Sequence, residues 1–264
     1  MIKPFPKPYP KLQRLPERKH MTFVLGMLCN FGIVMCSDSL EQDGYSKSSV
    51  QKLYGFNKSE NGDWGVAWGC AGDSPMIKRF NDKFLELLDN APVAYARHDL
   101  EEVIETLIRQ MRENYAERLS LVIALWGRSS AQQALAETRL YSIKESSNCL
   151  SVEEHFACAG MDLSLSRFLL DSIFTDDIPV SDGIEIATFV TAVMKEKADG
   201  VGGPTQMLFY RGGGTGWEEQ RKEGIIEIEK RRYIIGNVER AIKDFWISCS
   251  RPKLSVSRKS KDQQ

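Results

Sequence analysis

The sequence predicts an α+β fold arranged as a four-layer sandwich, with two antiparallel sheets packed face to face and helices on both outer faces. Three observations predict it. The elements run in the order strands, two helices, strands, two helices and final strands; the strand segments are short and β-rich; and the helical segments repeat apolar residues at helical spacing. In this arrangement each sheet buries one face against the other sheet and its second face under helices.

The first half of the chain predicts four strands followed by two helices. The first two strands form a hairpin, because the turn sequence Asn30-Phe31-Gly32 separates two β-rich runs. The first helix begins where an N-cap type residue precedes a proline in Gly72-Asp73-Ser74-Pro75. The predicted strands are Met21–Cys29, Gly32–Ser39, Ser48–Phe56 and Trp64–Ala71, and the helices cover Met76–Leu88 and about Leu100–Arg118.

The second half of the chain predicts further strands and helices, ending in an amphipathic helix. Gly212-Gly213-Gly214 is predicted to form a hairpin turn, because it lacks the Lys-Ser/Thr that follows the glycines of a phosphate-binding loop. The predicted strands are Leu119–Trp126, Arg139–Lys144, His155–Ala159, Gln206–Tyr210 and Ile225–Ile228, and the helices are Asp162–Phe174, Asp182–Lys197 and Tyr233–Ser248.

The charges divide the chain into three parts, although its formal net charge is only −1. Residues 1–21 are rich in proline and basic residues, which predicts an extended leader. Residues 22–250 contain no internal repeat and no linker, so they are predicted to form one domain. Residues 251–264 form a basic disordered tail. Neither basic end has interleaved aromatic residues and a binding fold, so no nucleic-acid partner is predicted.

The cysteine and histidine patterns predict a cytoplasmic protein that needs no metal or other cofactor. The six cysteines form no CxxC pair and mostly lie in apolar runs, which favours free buried thiols and a reducing compartment. The three histidines have no acid or cysteine at ligand spacing. The longest apolar stretches, Phe23–Cys29 and Leu119–Trp126, are shorter than the ~20 residues that cross a bilayer, so no membrane partner is predicted.

Several polar groups are predicted to meet at one edge of the opening sheet. Thr22 begins the first strand and Asp38 ends the second, and the start of one hairpin strand lies beside the end of its neighbour. Lys52 lies in the third strand, near a small-residue turn at Ala71-Gly72-Asp73. A hydroxyl, a carboxylate, an ammonium and a main-chain N–H gathered in one place suit nucleophilic catalysis.

In their order and spacing, the segments TFVLGML, GIVMCSDS, QKLY and GCAGD resemble the N-terminal half of proteasome β-type subunits and their bacterial relatives, which are N-terminal-nucleophile (Ntn) hydrolases. The resemblance covers roughly residues 22–90 and is architectural beyond them. It implies the Ntn-hydrolase fold for the domain.

The resemblance also implies a role for each matching residue. Thr22 matches the nucleophile and Lys52 matches the lysine beside it. Asp38 matches the carboxylate that supports this lysine. Gly72 matches the residue whose main-chain N–H binds the oxyanion, and Cys70 lies where the family sets the depth of its primary substrate pocket.

The chain departs from the family pattern at a few positions. Met21 precedes the nucleophile, where many proteasome precursors have glycine. Ala159 and Val201 stand where the family has supporting hydroxyl groups. Asp199, close to the second of these positions, resembles an auxiliary acid of the family.

The function that the resemblance implies is a threonine-type peptidase or amide hydrolase, autoprocessed so that Thr22 becomes the first residue. A threonine hydroxyl is a weak nucleophile, and a free α-amino group with a pKa of about 7.7–8.0 is a suitable base for it. Peptide bonds would be cleaved through an acyl-enzyme without a cofactor. Relatives assemble into rings, so the resemblance also implies a homo-oligomer.

Two other functions are compatible with the same residues. A non-catalytic structural or interaction subunit would keep its leader, and Met21 and the two missing hydroxyls favour it. A small-amide hydrolase would keep the chemistry and change the substrate. Because one fold serves many functions, the fold alone does not choose among these three.

Overall fold

The computed structural model describes residues 22–43, 46–58, 64–91, 97–114, 119–127, 137–144, 147, 149–160, 163–214 and 216–230. The leader predicted at residues 1–21, the basic tail at 251–264 and the helix predicted at Tyr233–Ser248 lie outside the described residues.

Twelve strands and five helices occur within these ranges. The strands are β1 (Phe23–Cys29), β2 (Gly32–Ser37), β3 (Leu40–Asp43), β4 (Ser46–Ser49), β5 (Leu53–Asn57), β6 (Trp64–Gly72), β7 (Leu119–Gly127), β8 (Glu137–Ile143), β9 (Ser151–Glu153), β10 (Phe156–Gly160), β11 (Gln206–Arg211) and β12 (Glu218–Glu219). The helices are α1 (Ser74–Asn90), α2 (Arg97–Asn114), α3 (Leu163–Ile173), α4 (Val180–Lys197) and α5 (Lys222–Lys230).

The strands form two five-stranded antiparallel sheets and one separate hairpin. The first sheet has the order β10-β1-β2-β11-β12, and the second has the order β5-β6-β7-β8-β9. Strands β3 and β4 pair only with each other. The prediction of a mixed α and β fold with antiparallel sheets is therefore confirmed.

One apolar cluster is shared by the two sheets. It joins Val24 and Met35 of the first sheet to Ala67 and Val122 of the second. The sheets approach closely at Gly26, where an added Cβ would lie 2.6 Å from a methyl carbon of Leu140. A residue without a side chain is needed there because the opposite sheet already occupies the space.

Each of two further apolar clusters joins one of the sheets to the helices that cover it. The first sheet shares buried residues with α3, α4 and α5, including Leu169 and Val190. The second sheet shares buried residues with α1 and α2, including Trp68, Phe84 and Ile104. Each sheet is therefore apolar on both faces, which explains why β2 and β6 read as nearly continuous apolar runs.

Two sequence-based assignments were wrong. The strand predicted at Ser48–Phe56 is divided, because β4 ends at Ser49 and β5 begins at Leu53. The strand predicted at Ile225–Ile228 lies within α5. Ile225 and Ile228, three residues apart, pack in the cluster that joins the first sheet to α3, α4 and α5, while Ile226 is 47% exposed, which is the pattern of one helix face.

The two predicted turns are confirmed. The turn between β1 and β2 contains Phe31 at a φ of 54°, and the triple-glycine turn joins β11 to β12.

The cysteines in the described part of the chain form no disulfide. Within the described ranges, no group of three or more His, Cys, Asp or Glu side chains could hold a metal. No helix in those ranges is both long and apolar enough to cross a membrane.

Candidate active site

A buried ion pair lies where β1 begins and β2 ends. The Nζ of Lys52 is 3.1 Å from Oδ1 and 3.0 Å from Oδ2 of Asp38. Asp38 is fully buried and Lys52 is 8% exposed. The same ammonium donates a hydrogen bond of 2.5 Å to the main-chain carbonyl of Leu40, so three oxygens surround it. The structure therefore brings together the predicted carboxylate and the predicted lysine.

Asp38 also accepts hydrogen bonds from three main-chain N–H groups. Its Oδ1 accepts from Phe23 at 2.9 Å, and its Oδ2 accepts from Leu40 at 3.2 Å and from Gly202 at 3.1 Å. Because Phe23 directly follows Thr22, the carboxylate fixes the backbone beside the predicted nucleophile. Gly202 in turn belongs to the loop between α4 and β11, so this loop holds Asp38 from the other side.

The ammonium of Lys52 is in a weakly solvated environment. Burial lowers its pKa from the ordinary 10.5, while the charges of Asp38 and Glu41 act in the opposite direction. Asp38 remains the nearest negative charge, at 3.0 Å. Lys52 and Thr22 line the same pocket, and a cation there would favour the deprotonated forms of nearby groups.

Thr22 lies against the end of β10. It is 4% exposed, and its main-chain oxygen would be 1.7 Å from a Cβ added at Gly160. Gly160 also has a φ of 104°, in the region that favours glycine. No other residue fits at Gly160 without moving the backbone at Thr22.

A pocket of about 280 Å³ opens beside Thr22. Thr22, Lys52, Cys70 and Gly72 all line it, so four of the predicted site residues share one cavity. Asp38 is not among its lining residues and lies behind Lys52. One wall is a single face of α1, because its lining residues recur at helical spacing: Ser74, Ile77, Lys78, Asn81, Asp82 and Leu85.

Cys70 and Gly72 lie at the end of β6, on the side of the pocket next to α1. The Sγ of Cys70 is 3.6 Å from Oδ1 of Asn81, which also accepts a hydrogen bond of 2.8 Å from Nε1 of Trp68. Burial raises the pKa of the Cys70 thiol, so this cysteine stays protonated at neutral pH and contributes shape to the pocket. Gly72 has a φ of 140°, and its role as an oxyanion donor stays a prediction.

Asp199 is placed differently from the other candidates. It lies exposed in the turn that follows α4, and it does not line the pocket. Its loop reaches the site through Gly202 instead. The positions of the two missing hydroxyls, Ala159 and Val201, are buried at 2% and 5% exposure. The auxiliary role of Asp199 stays a prediction.

Sequence reasoning missed two residues that contact the site. Gly202, which directly follows Val201, was assigned no role, although its N–H binds Asp38. Gln206 carried no signal, yet its Oε1 accepts hydrogen bonds from the main-chain N–H groups of Lys52 at 2.8 Å and Leu53 at 3.1 Å. Both lie more than 150 residues along the chain from the groups they bind.

Comparisons with known proteins place this geometry within a known fold. An Anbu (ancestral beta-subunit) protein from Yersinia bercovieri has a TM-score of 0.66 at 15% identity, covering 89% of this chain and all of that one. A protein described as a helical assembly of the Anbu complex from Pseudomonas aeruginosa has a TM-score of 0.64 at 17% identity, with the same coverage. Anbu from Hyphomicrobium sp. strain MC1 has a TM-score of 0.64 at 14% identity, covering 86% of this chain and 96% of that one. The chain has the fold of Anbu proteins.

The family assignment made from the sequence is corrected by these findings. No protein-family model matches the chain, and no curated protein matches it. These three similar structures are Anbu proteins, which are proteasome-like in fold, so the assignment to proteasome β-type Ntn hydrolases was wrong as stated. The motifs that suggested this assignment are short strand and turn sequences. Proteins that share a fold can share such sequences without belonging to the same family. At 14–17% identity the likeness shows the fold alone.

Proposed function

We propose that the chain is a threonine-type hydrolase that cleaves peptide or other amide bonds, with Thr22 as its nucleophile. The observation that carries the proposal is the shared pocket: Thr22 lines it together with Gly72 and with Lys52, which is paired with Asp38. The activity requires that residues 1–21 be removed, so that Thr22 has a free α-amino group.

The α-amino group of Thr22 accepts the proton of its own hydroxyl while Oγ1 attacks the carbonyl carbon of the substrate. Lys52 favours the neutral amine, since a nearby cation lowers the pKa of that group. In the proposed geometry, the N–H of Gly72 stabilises the tetrahedral oxyanion. The α-ammonium then gives the proton to the leaving amine, which leaves an ester on Oγ1. Water then attacks the carbonyl carbon of this ester while the α-amino group takes a proton from the water. The bond between that carbon and Oγ1 breaks, Oγ1 regains the proton, and the acid product departs.

Removal of the leader uses the same hydroxyl. Oγ1 of Thr22 attacks the carbonyl carbon of Met21, the peptide C–N bond breaks as the amine takes a proton, and water hydrolyses the resulting ester. The hydrogen bond of 2.9 Å from Phe23 to Asp38 supports this step because it holds the backbone directly after the scissile bond. The proposed product begins at Thr22 and contains the domain predicted at residues 22–250.

Intact mass and N-terminal sequencing test the proposal on the full chain. The wild type is expected to lose residues 1–21 and to begin at Thr22, while Thr22→Ala stays full length. Thr22→Ser keeps a hydroxyl and is the matched control, so it is expected to process. A purified wild type that retains its leader and does not react with an amide or ester substrate would contradict the proposal.

A non-catalytic structural or interaction subunit is the second candidate. Ala159 and Val201 favour it, because both are buried and apolar where hydroxyls were expected. In that case Lys52 and Asp38 would serve only to hold β1, β2 and the α4–β11 loop together. The mass experiment separates the two candidates, since a subunit of this kind leaves the wild type and Thr22→Ala equally long.

The proposal extends to architecture, assembly and location. The three apolar clusters support an αββα order of layers.

The description of a similar structure as a helical assembly supports a homo-oligomer, either a ring or a helical array. Light scattering after size-exclusion chromatography would measure the oligomeric state. The free thiols of the described cysteines support the cytoplasm as the compartment. A monomer with an open pocket would favour small amides as substrates over peptides.

A further inference from the structure

A single glutamine side chain joins the two sheets next to the candidate site. Gln206 is the first residue of β11 in the first sheet. Its Oε1 accepts hydrogen bonds from the main-chain N–H groups of Lys52 and Leu53, and its Nε2 donates a hydrogen bond of 2.6 Å to the main-chain carbonyl of Val50. These three bonds bind the segment that leads from β4 into β5, at the edge of the second sheet.

The backbone at Lys52 is bent where the glutamine binds it. In an extended strand, successive N–H groups point to opposite sides, so they cannot share one acceptor. Lys52 and Leu53 share Oε1 of Gln206 at 2.8 and 3.1 Å, which makes a small concave surface of main-chain donors. Residues 50–52 belong to no strand; the amide of Gln206 binds two of their main-chain groups, and the N–H of Val50 donates a hydrogen bond of 2.8 Å to the carbonyl of Ser39.

We propose that Gln206 is a positioning residue for Lys52: its amide fixes the bend in the backbone from which the ammonium reaches Asp38. This inference rests on the proposed function, in which Lys52 acts beside Thr22. Gln206 does not line the pocket and is not a catalytic residue. It acts through Lys52, as Gly202 acts through Asp38.

The loop before β11 and the first residue of β11 therefore hold both members of the ion pair. Gly202 donates to Oδ2 of Asp38, and its own carbonyl accepts the N–H groups of Ser39 at 3.1 Å and Leu40 at 2.9 Å. Four residues later, Gln206 holds the backbone of Lys52. One short segment thus sets the position of the carboxylate and the position of the ammonium.

Amide hydrogen exchange measured by NMR on the folded protein, with or without its leader, tests the hydrogen bonds directly. In Gln206→Met, which keeps the length of the side chain without its amide, the amides of Lys52 and Leu53 are expected to exchange at least about 100-fold faster. In Gln206→Glu, whose oxygens still accept both bonds, protection is expected to return. Gln220→Met is the matched control, because Gln220 donates its hydrogen bond of 3.2 Å to the carbonyl of Met207 from the main-chain N–H, which the substitution keeps.

The titration of Lys52 tests its positioning without reference to activity. Lysine side chains labelled with ¹³C at Cε report the pKa, and Lys52→Arg assigns the signal. Burial lowers the pKa of Lys52 in the wild type, and the carboxylates that face it are those of Asp38 and Glu41. Gln206→Met is expected to release the side chain toward solvent and to raise this pKa toward 10.5. The control is expected to leave it unchanged.

The third measurement is the rate of leader removal or of substrate cleavage, expected to fall about 10- to 100-fold in Gln206→Met with KM nearly constant. Unchanged exchange at Lys52 and Leu53, or an unchanged pKa of Lys52, would overturn the inference. A normal rate in a variant whose amides are exposed would also overturn it.

Failure of the proposed function would look different. A wild type with no activity, but with the expected exchange and pKa changes in the variant, would leave Gln206 as the residue that positions Lys52 and would remove the hydrolase proposal. If Gln206→Met does not fold, Gln206→Asn gives the same readings, because its amide is roughly 1.5 Å too short to reach both N–H groups.

Discussion

At the scale of single residues, Asp38 and Lys52 differ from the ion pairs on the surface. Both are buried, and between them they bind four main-chain groups. Removing one member of a buried pair leaves the other charge desolvated without compensation, whereas exposed pairs contribute little. The pair therefore supports the fold at the same place where it would support catalysis.

Lys52→Met is expected to lower the free energy of unfolding by about 3–5 kcal/mol, because the carboxylate of Asp38 stays buried without its cation. Urea denaturation measures this change. Lys197→Met is the control, since Lys197 pairs with Glu196 at the surface and is expected to change stability by less than about 1 kcal/mol. Equal changes in the free energy of unfolding for the two substitutions would contradict the larger contribution of the buried pair.

Gly160 allows backbone strain to be separated from steric overlap. Gly160→Ala adds a Cβ 1.7 Å from the carbonyl oxygen of Thr22, and we expect it to cost roughly 3 kcal/mol or more and to abolish leader removal. Gly213→Ala is the matched control: it has a φ of 86° but nothing within 4 Å of the added carbon, so about 1–2 kcal/mol is expected. Urea denaturation and intact mass measure both effects, and similar losses in both variants would contradict the overlap.

The local part of the candidate site could be predicted from the sequence. Thr22 and Asp38 were brought together by the hairpin rule alone, and Lys52 and Gly72 followed within the next two strands. Gly202 and Gln206 could not be predicted, because they reach the site from 164 and 154 residues away along the chain. Contacts of that separation depend on how the sheets pack, and the periodicity of one segment does not contain that information.

At the scale of elements, a small polar cluster connects helix α5 to α4 and to the residue before β11 of the first sheet. Oε1 of Glu229 accepts hydrogen bonds from Nζ of Lys195 at 2.8 Å and from Oγ1 of Thr205 at 2.6 Å. Lys195 also donates to Oγ1 of Thr205, so α4, α5 and the residue before β11 meet at one point. Thr205 directly precedes Gln206.

Glu229→Ala is expected to loosen α5 and to destabilise the chain by about 1.5–3 kcal/mol, because two hydrogen bonds to a charged group are lost. Hydrogen exchange of residues 222–230 measures the loosening, and urea denaturation measures the cost. Glu223→Ala, in the exposed first turn of the same helix, is the control and is expected to change stability by less than about 1 kcal/mol. Unchanged hydrogen exchange of residues 222–230 in Glu229→Ala would contradict the role of Glu229 in holding α5.

Most elements could be predicted because their apolar spacing is regular over a long run. The exceptions are short or polar. Strands β3 and β4, with the sequences LEQD and SKSS, have no alternation of apolar residues and pair only with each other. Helix α5 was predicted as a strand because three isoleucines within four residues have high β-propensity, and packing against the first sheet overrides that preference.

At the scale of the whole molecule, several buried thiols make stability depend on alkaline pH. Burial raises the pKa of Cys36 and of Cys158 from the ordinary 9.0 to about 12. In the window between these values the folded chain keeps protons that the unfolded chain loses. Their contribution to stability is therefore full below pH 9.0 and falls as the pH rises toward 12.

The free energy of unfolding is thus expected to fall with pH above 9.0, by up to about 1.4 kcal/mol per pH unit for each of these thiols. Urea denaturation between pH 8 and pH 11 measures the slope. Cys36→Ala is expected to reduce it, while Cys149→Ala, at an exposed cysteine, is expected to leave it unchanged. A slope that Cys36→Ala does not alter would contradict the assignment.

The pocket wall formed by α1 can change in sequence independently of the residues that hold the candidate catalytic groups. The groups proposed to make and break bonds lie at the ends of strands or directly before them, whereas six of the side chains that shape the cavity come from one helix face. Exchanging Ile77, Lys78 or Asp82 alters size and charge in the cavity without touching Asp38 or Gln206. In the proposed function, selectivity and reactivity are therefore encoded in different stretches of the chain, and selection or engineering can revise the first while conserving the second.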